Sequence, residues 1–82
     1  MRVTLGGPEA PVEMEIEGVV ALNEALEVLA SEDPRAAEVT RLRFLAGLSV
    51  AETAEALDIS ERSVAREWSY AKARLTELLG EE

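Results

Sequence analysis

Ser49-Val50-Ala51-Glu52-Thr53-Ala54-Glu55-Ala56-Leu57-Asp58-Ile59-Ser60, continuing through Arg62, Val64, Arg66 and Trp68 to Lys72, decides the fold. Two helix starts are written into it. Ser49 is an N-cap candidate, and Glu52 three residues on completes a capping box. Ser60 caps a second helix, its hydroxyl accepting from backbone N–H groups that lack helical partners. Between them Leu57-Asp58-Ile59 leaves room only for a tight turn, so a short helix must fold back on a longer one. Ala54 is small enough to let the second helix cross closely. Asp58 falls where the turn wants a positive φ, a geometry that costs an ordinary L-residue about 1–2 kcal/mol and that Asp and Asn tolerate better than most. Val64 then places an apolar side chain on the inner face of the second helix. The pattern is that of a helix-turn-helix, in which the second helix is offered to the DNA major groove; a plain helical hairpin in a bundle is the blander reading.

Composition limits what surrounds this stretch. The 82 residues make one domain, with a small core and no deep pocket. There is no cysteine and no histidine, hence no disulfide framework and none of the common zinc ligand sets; no cofactor is expected. The usual general base and the strongest nucleophile are missing too, so an enzyme is not expected. No apolar run approaches the roughly 18 residues of a membrane span, and the start does not read as a signal peptide; a cytoplasmic protein is expected.

The net charge of −9 opposes a free-standing DNA binder. It is uneven. Residues 1–33 carry one basic against eight acidic side chains, and residues 34–82 carry seven against nine. Within the second helix, 60–79, Arg62, Arg66, Lys72 and Arg74 slightly outnumber Glu61, Glu67 and Glu77. Phosphate neutralisation supplies most sequence-independent affinity, so the isolated chain should bind DNA weakly.

Residues 1–18 alternate apolar and acidic side chains around a Gly6-Gly7-Pro8 breaker, which fits two short strands or an extended linker. A solvated tail left from a larger chain is preferred over a pairing edge. From Val19 the period becomes helical, with Val19, Leu22, Leu26 and Leu29 on one face. Asp33 caps the next helix and Pro34 opens it. Ala37, Val39, Leu42, Leu45 and Ala46 should form its buried side, Gly47 its stop, and Arg35, Arg41 and Arg43 a solvated face. Phe44 is expected in the core. Val64, Trp68, Ala71, Leu75 and Leu78 recur at helical spacing in the last helix, from Glu61 to about Leu79, so Trp68 reads as core and not as a base-stacking residue. The opposite face presents Arg62, Ser63, Arg66, Ser69 and, further on, Lys72. Arginine pairs bidentately with guanine; serine and lysine suit phosphate. The competing reading is surface salt bridging, for example with Glu67. The fold class is thus all-α: a small four-helix domain over 19–82 with a C-terminal helix-turn-helix, behind an extended or strand-like segment, 1–18.

Ala21-Leu22-Asn23-Glu24-Ala25-Leu26, Asp33-Pro34-Arg35, Leu42-Arg43-Phe44, Gly47-Leu48-Ser49-Val50, Glu52-Thr53-Ala54-Glu55-Ala56-Leu57 and Ile59-Ser60 together resemble conserved region 4 of bacterial RNA polymerase sigma factors. The likeness is to the extracytoplasmic-function (ECF) group, including a subset with Trp followed by Ala-x-Ala, here Trp68 and Ala71-Lys72-Ala73. It covers about residues 19–79. The resemblance implies transcription initiation: the last helix recognises the promoter −35 element, and the domain docks on the β-subunit flap of the polymerase, with an anti-sigma factor as a further candidate partner. It carries the DNA-binding face onto Arg62, Ser63 and Arg66, and secondarily onto Glu61, Ser69 and Lys72. Asp58 departs from the common turn glycine, and Ala65 stands where lysine is frequent, removing a phosphate contact. The family's other domain, which reads the −10 element, is absent, so the chain is either an excised C-terminal domain or a stand-alone relative. Two alternatives stay open. One is a protein-interaction module that binds polymerase or an anti-sigma factor with little DNA binding of its own; the other is a LuxR-type regulator domain.

Overall fold

A computed structural model describes residues 1–8 and 11–80. Strands β1 (Arg2–Leu5) and β2 (Val12–Glu15) pair antiparallel, Val3 opposite Met14. Helices α1 (Ile16–Glu32), α2 (Pro34–Thr40), α3 (Val50–Leu57) and α4 (Glu61–Leu78) follow. A π-helical turn, Arg41–Leu45, continues α2.

The period-3.6 stripes make the core. Leu22, Ala25, Leu26 and Leu29 of α1 are buried against Ala36 and Ala37 of α2 and Ala71 and Leu75 of α4. Leu26 and Leu29 are fully buried, each stabilising the fold by about 1.5–3 kcal/mol. The alanines of α2 matter as much, because small side chains bring three helix backbones together at one place. A second, smaller cluster joins Val39, Ala54 and Val64, and fixes α3 to α2 and α4.

Each predicted cap is present. Asp33 accepts from the Ala36 N–H at 3.2 Å, with Pro34 at the first helical position. Ser49 and Glu52 exchange both bonds of the capping box, at 3.0 and 2.8 Å. Ser60 accepts from the Ser63 N–H at 3.0 Å. Asp58 has φ 57 and ψ 48, and it is the one non-glycine residue with positive φ among those described. Its N–H and that of Ile59 close the end of α3 on the Glu55 and Ala54 carbonyls.

Three expectations are corrected. The helix placed from Val19 begins at Ile16, directly after β2; Ile16 is exposed, so no apolar burial signals the start. Residues 1–5 and 12–15 do not lie free as a solvated tail. Their hairpin rests on the body: Leu5 and Met14 pack on the main core, and the Gly6 N–H donates to the Phe44 carbonyl at 2.8 Å. Gly7 and Gly47, both at positive φ, make this approach possible; a Cβ on Gly47 would sit 3.0 Å from the Gly7 Cα.

The third correction concerns the end of the second helix. The Ala46 N–H reaches back five residues to the Arg41 carbonyl, and the widened turn shifts the faces that follow. Ala46 is exposed, and Leu42 and Leu45 are only half-buried. Arg43 leaves the solvated face to which it was assigned. Its Nη1 donates to the Leu48 carbonyl at 2.7 Å.

Charged groups of α4 meet its neighbours at two levels, one favourable and one not. Toward its C-terminal end, Arg74 grips both Glu32 carboxylate oxygens, at 2.8 and 2.6 Å, and also Glu77. The Arg74 hydrogen bonds hold the Glu32 carboxyl below its ordinary value. Midway along, Glu67 is pushed upward, first by burial and then by the neighbouring Asp33 carboxylate, with Arg35 and Arg66 opposing. A carboxyl raised in the folded state favours folding while protonated, and that contribution is lost as pH rises from the ordinary value of 4.5 through the folded one. Glu67→Gln is therefore expected to raise the melting temperature near pH 7, with the gain vanishing at about pH 3, as read by circular dichroism. At the elbow, Asp58→Gly should stabilise by about 0.5–1 kcal/mol and Asp58→Val destabilise by about 1–2 kcal/mol. Each kcal/mol would appear as roughly 4–8 °C in the same melts.

Candidate nucleic-acid interface

The outward face of α4 is set by its inward one. Val64 and Ala71 are fully buried, Leu75 nearly so, and Trp68 and Leu78 half-buried. That stripe turns residues 62, 66, 69 and 73 to solvent. Arg62 and Arg66, one turn apart in the first half of the helix, are both exposed. Neither forms an ion pair among the described residues. Arg66 acts on Glu67 electrostatically without forming an ion pair; the arginine of α4 that is ion-paired is Arg74.

Ser69 is exposed and continues the Arg62–Arg66 stripe. Ser63 lies beside that stripe, half-buried and drawn into the cap: the Ser60 hydroxyl donates to its Oγ at 3.0 Å. Its own hydroxyl proton remains available to an acceptor. Glu61 is exposed in the first turn, where a carboxylate favours the helix dipole but repels phosphate. Lys72 lies away from the arginines, with its ammonium over the Trp68 ring, 5.4 Å from the centroid. So Arg62, Arg66 and Ser69 share one stripe, Ser63 borders it, and Glu61 and Lys72 flank its other side.

Two features beside this face were not anticipated. The Arg43 guanidinium also lies over Trp68, at 5.6 Å from the ring centroid, and Phe44 meets the same ring tilted, 6.4 Å between centroids. The cluster depends on the π turn, which no residue pattern announces. Tyr70, 45% exposed, is a further large side chain on the solvent side of α4; its departure from the apolar stripe was the available signal.

No helix among the described residues is long and apolar enough to cross a membrane. No curated protein and no solved structure matches the chain. The family model described as ECF sigma factor matches residues 2–81, almost the full length, with the hairpin included. Sigma factors of this family are non-catalytic transcription factors that act in initiation with RNA polymerase and promoter DNA. By that match the chain belongs to the ECF sigma factor family.

Proposed function

We propose that α4 reads the promoter −35 element from the major groove, with Arg62 and Arg66 on base edges and Ser63, Ser69 and Lys72 on base edges or phosphates. Glu61 sits where it can accept from a cytosine amino group. One observation carries this reading: two exposed arginines, without ion pairs among the described residues, occupy the N-terminal half of the second helix of a capped helix-turn-helix. That is where recognition helices meet bases.

Charge limits what the domain does alone. With a net −9 and Arg74 neutralised, three cations of α4 face a phosphate surface that repels most of the chain. The domain therefore acts as part of the polymerase holoenzyme in the cytoplasm, docked on the β-subunit flap. Other contacts then supply the affinity and α4 supplies the choice of sequence. The same charge supports a second reading, in which these helices serve polymerase or an anti-sigma factor and DNA contact is minor.

Fluorescence anisotropy with promoter duplex at low salt separates the two. Arg62→Ala/Arg66→Ala should weaken binding to the preferred sequence by about 1–3 kcal/mol per lost base contact, and should flatten the salt dependence only if the arginines touch phosphate. Equal affinity of the double variant and the wild type would remove the base-reading role. Capture of the polymerase flap without measurable promoter binding would favour the second reading.

A further inference from the structure

A helix lying in the major groove runs between two phosphate backbones, so each flank of α4 faces one strand when its arginine stripe meets the bases. One flank carries Lys72. The other is bordered by the junction of α1 and α2. There Glu32 binds Arg74 at 2.6 Å, and the Glu67 carboxyl feels Asp33 and Arg35 from across the junction and Arg66 from its own helix. Glu32, Asp33 and Arg35 thus meet the edge of α4 that runs from Glu67 to Arg74. Tyr70 stands on that edge, one turn after Arg66 and one turn before Arg74, and is 45% exposed.

Local chemistry fixes the position of Arg35. Asp33 accepts from the Ala36 N–H at 3.2 Å, with Pro34 at the first helical position. Ala36 and Ala37 are fully buried, which leaves Arg35 outside. It is exposed and forms no ion pair among the described residues. Along this edge of α4 the acids are engaged or withdrawn: Glu77 is bonded to Arg74, and Glu67 is half-buried. A cation and a phenol therefore lie side by side next to the arginine stripe, on the flank away from Lys72.

We propose that Arg35 and Tyr70 form a phosphate-binding patch outside the base-reading stripe, on the strand opposite the one that Lys72 faces. The Arg35 guanidinium neutralises a backbone phosphate, and the Tyr70 hydroxyl donates to a phosphate oxygen of the same strand. The patch supplies affinity and register without choosing sequence. This inference rests on the reading in which α4 enters the major groove.

Fluorescence anisotropy of the full chain with a preferred and a scrambled duplex, between roughly 20 and 200 mM salt, tests it. Arg35→Ala should weaken both duplexes by the same factor and lower the slope of log affinity against log salt by about one. Arg35→Lys should restore the slope, because a point charge suffices for a phosphate. Tyr70→Phe should weaken both duplexes about two- to tenfold and leave the slope unchanged. Arg2→Ala, the same change of net charge placed on the hairpin, should leave the slope unchanged, and circular dichroism checks the fold of each variant. An unchanged slope in Arg35→Ala, an equal loss in Arg2→Ala, or no rescue by lysine would overturn the patch; undiminished affinity of Tyr70→Phe would overturn its second contact. Arg62→Ala/Arg66→Ala, measured in parallel, separates the two failures. If it alters the ratio between the duplexes while Arg35→Ala leaves the slope intact, the patch alone falls; if it leaves the ratio intact, the groove reading itself falls and takes the patch with it.

Discussion

The crossing of α3 and α4 is the constraint on which the rest depends. It is made by a left-handed residue at Asp58, a small one at Ala54 and a buried one at Val64. With Asp58 at φ 57 the chain reverses within two residues, and Ser60 can begin α4 immediately. Ala54 then lies against Val64 and Val39, where a larger side chain would push α4 outward. Once Val64 is fixed inward, helical periodicity leaves no choice for Arg62, Arg66 and Ser69: they face solvent. The orientation of the candidate DNA face is thus a consequence of packing behind it.

Electrostatics divides α4 along its length. At its C-terminal end Arg74 is spent on Glu32 and Glu77, which ties α4 to α1 and leaves little net charge there. In the middle, burial disfavours the charged form of Glu67, and the carboxylate of Asp33, the residue that caps α2, adds to that penalty. At the N-terminal end two arginines stand without ion pairs among the described residues. Stabilising contacts are concentrated where α4 meets the body, and uncompensated positive charge where it leaves it. An acidic domain that presents two exposed arginines on one face of α4 is suited to specificity more than to affinity, since the sequence-independent term scales with the number of phosphates neutralised.

Much of this was legible in residue order because local chemistry decided it. Ser49 with Glu52, Asp33 with Pro34, Ser60, and Asp58 at the turn all behave as their side chains require, and the apolar stripe from Val64 to Leu78 turns inward as its spacing demands. What escaped the sequence depends on distant contacts. The alternation of residues 1–18 offered the two strands, but not their docking on the helices, which needs Gly7 to approach Gly47. The π turn at 41–45 has no compositional mark, yet it moves Arg43 from a solvated face to the Trp68 ring. On α4, Arg62, Arg66 and Ser69 were readable as one exposed group from periodicity alone. Lys72 lies over Trp68 because it follows it by one helical turn, whereas bringing Arg43 and Phe44 to the same ring required the π turn to be in place.

The central claim is that the Arg62–Arg66–Ser69 stripe of α4 lies against the −35 element in the initiation complex. A photoreactive amino acid placed at Ser69, and in a separate protein at Val20 on the exposed side of α1, tests it most directly in a reconstituted holoenzyme on promoter DNA. The account predicts a crosslink from position 69 to the −35 bases or their immediate phosphates and none from position 20. Crosslinking from position 69 only to polymerase protein, or equal DNA crosslinking from both positions, would contradict it.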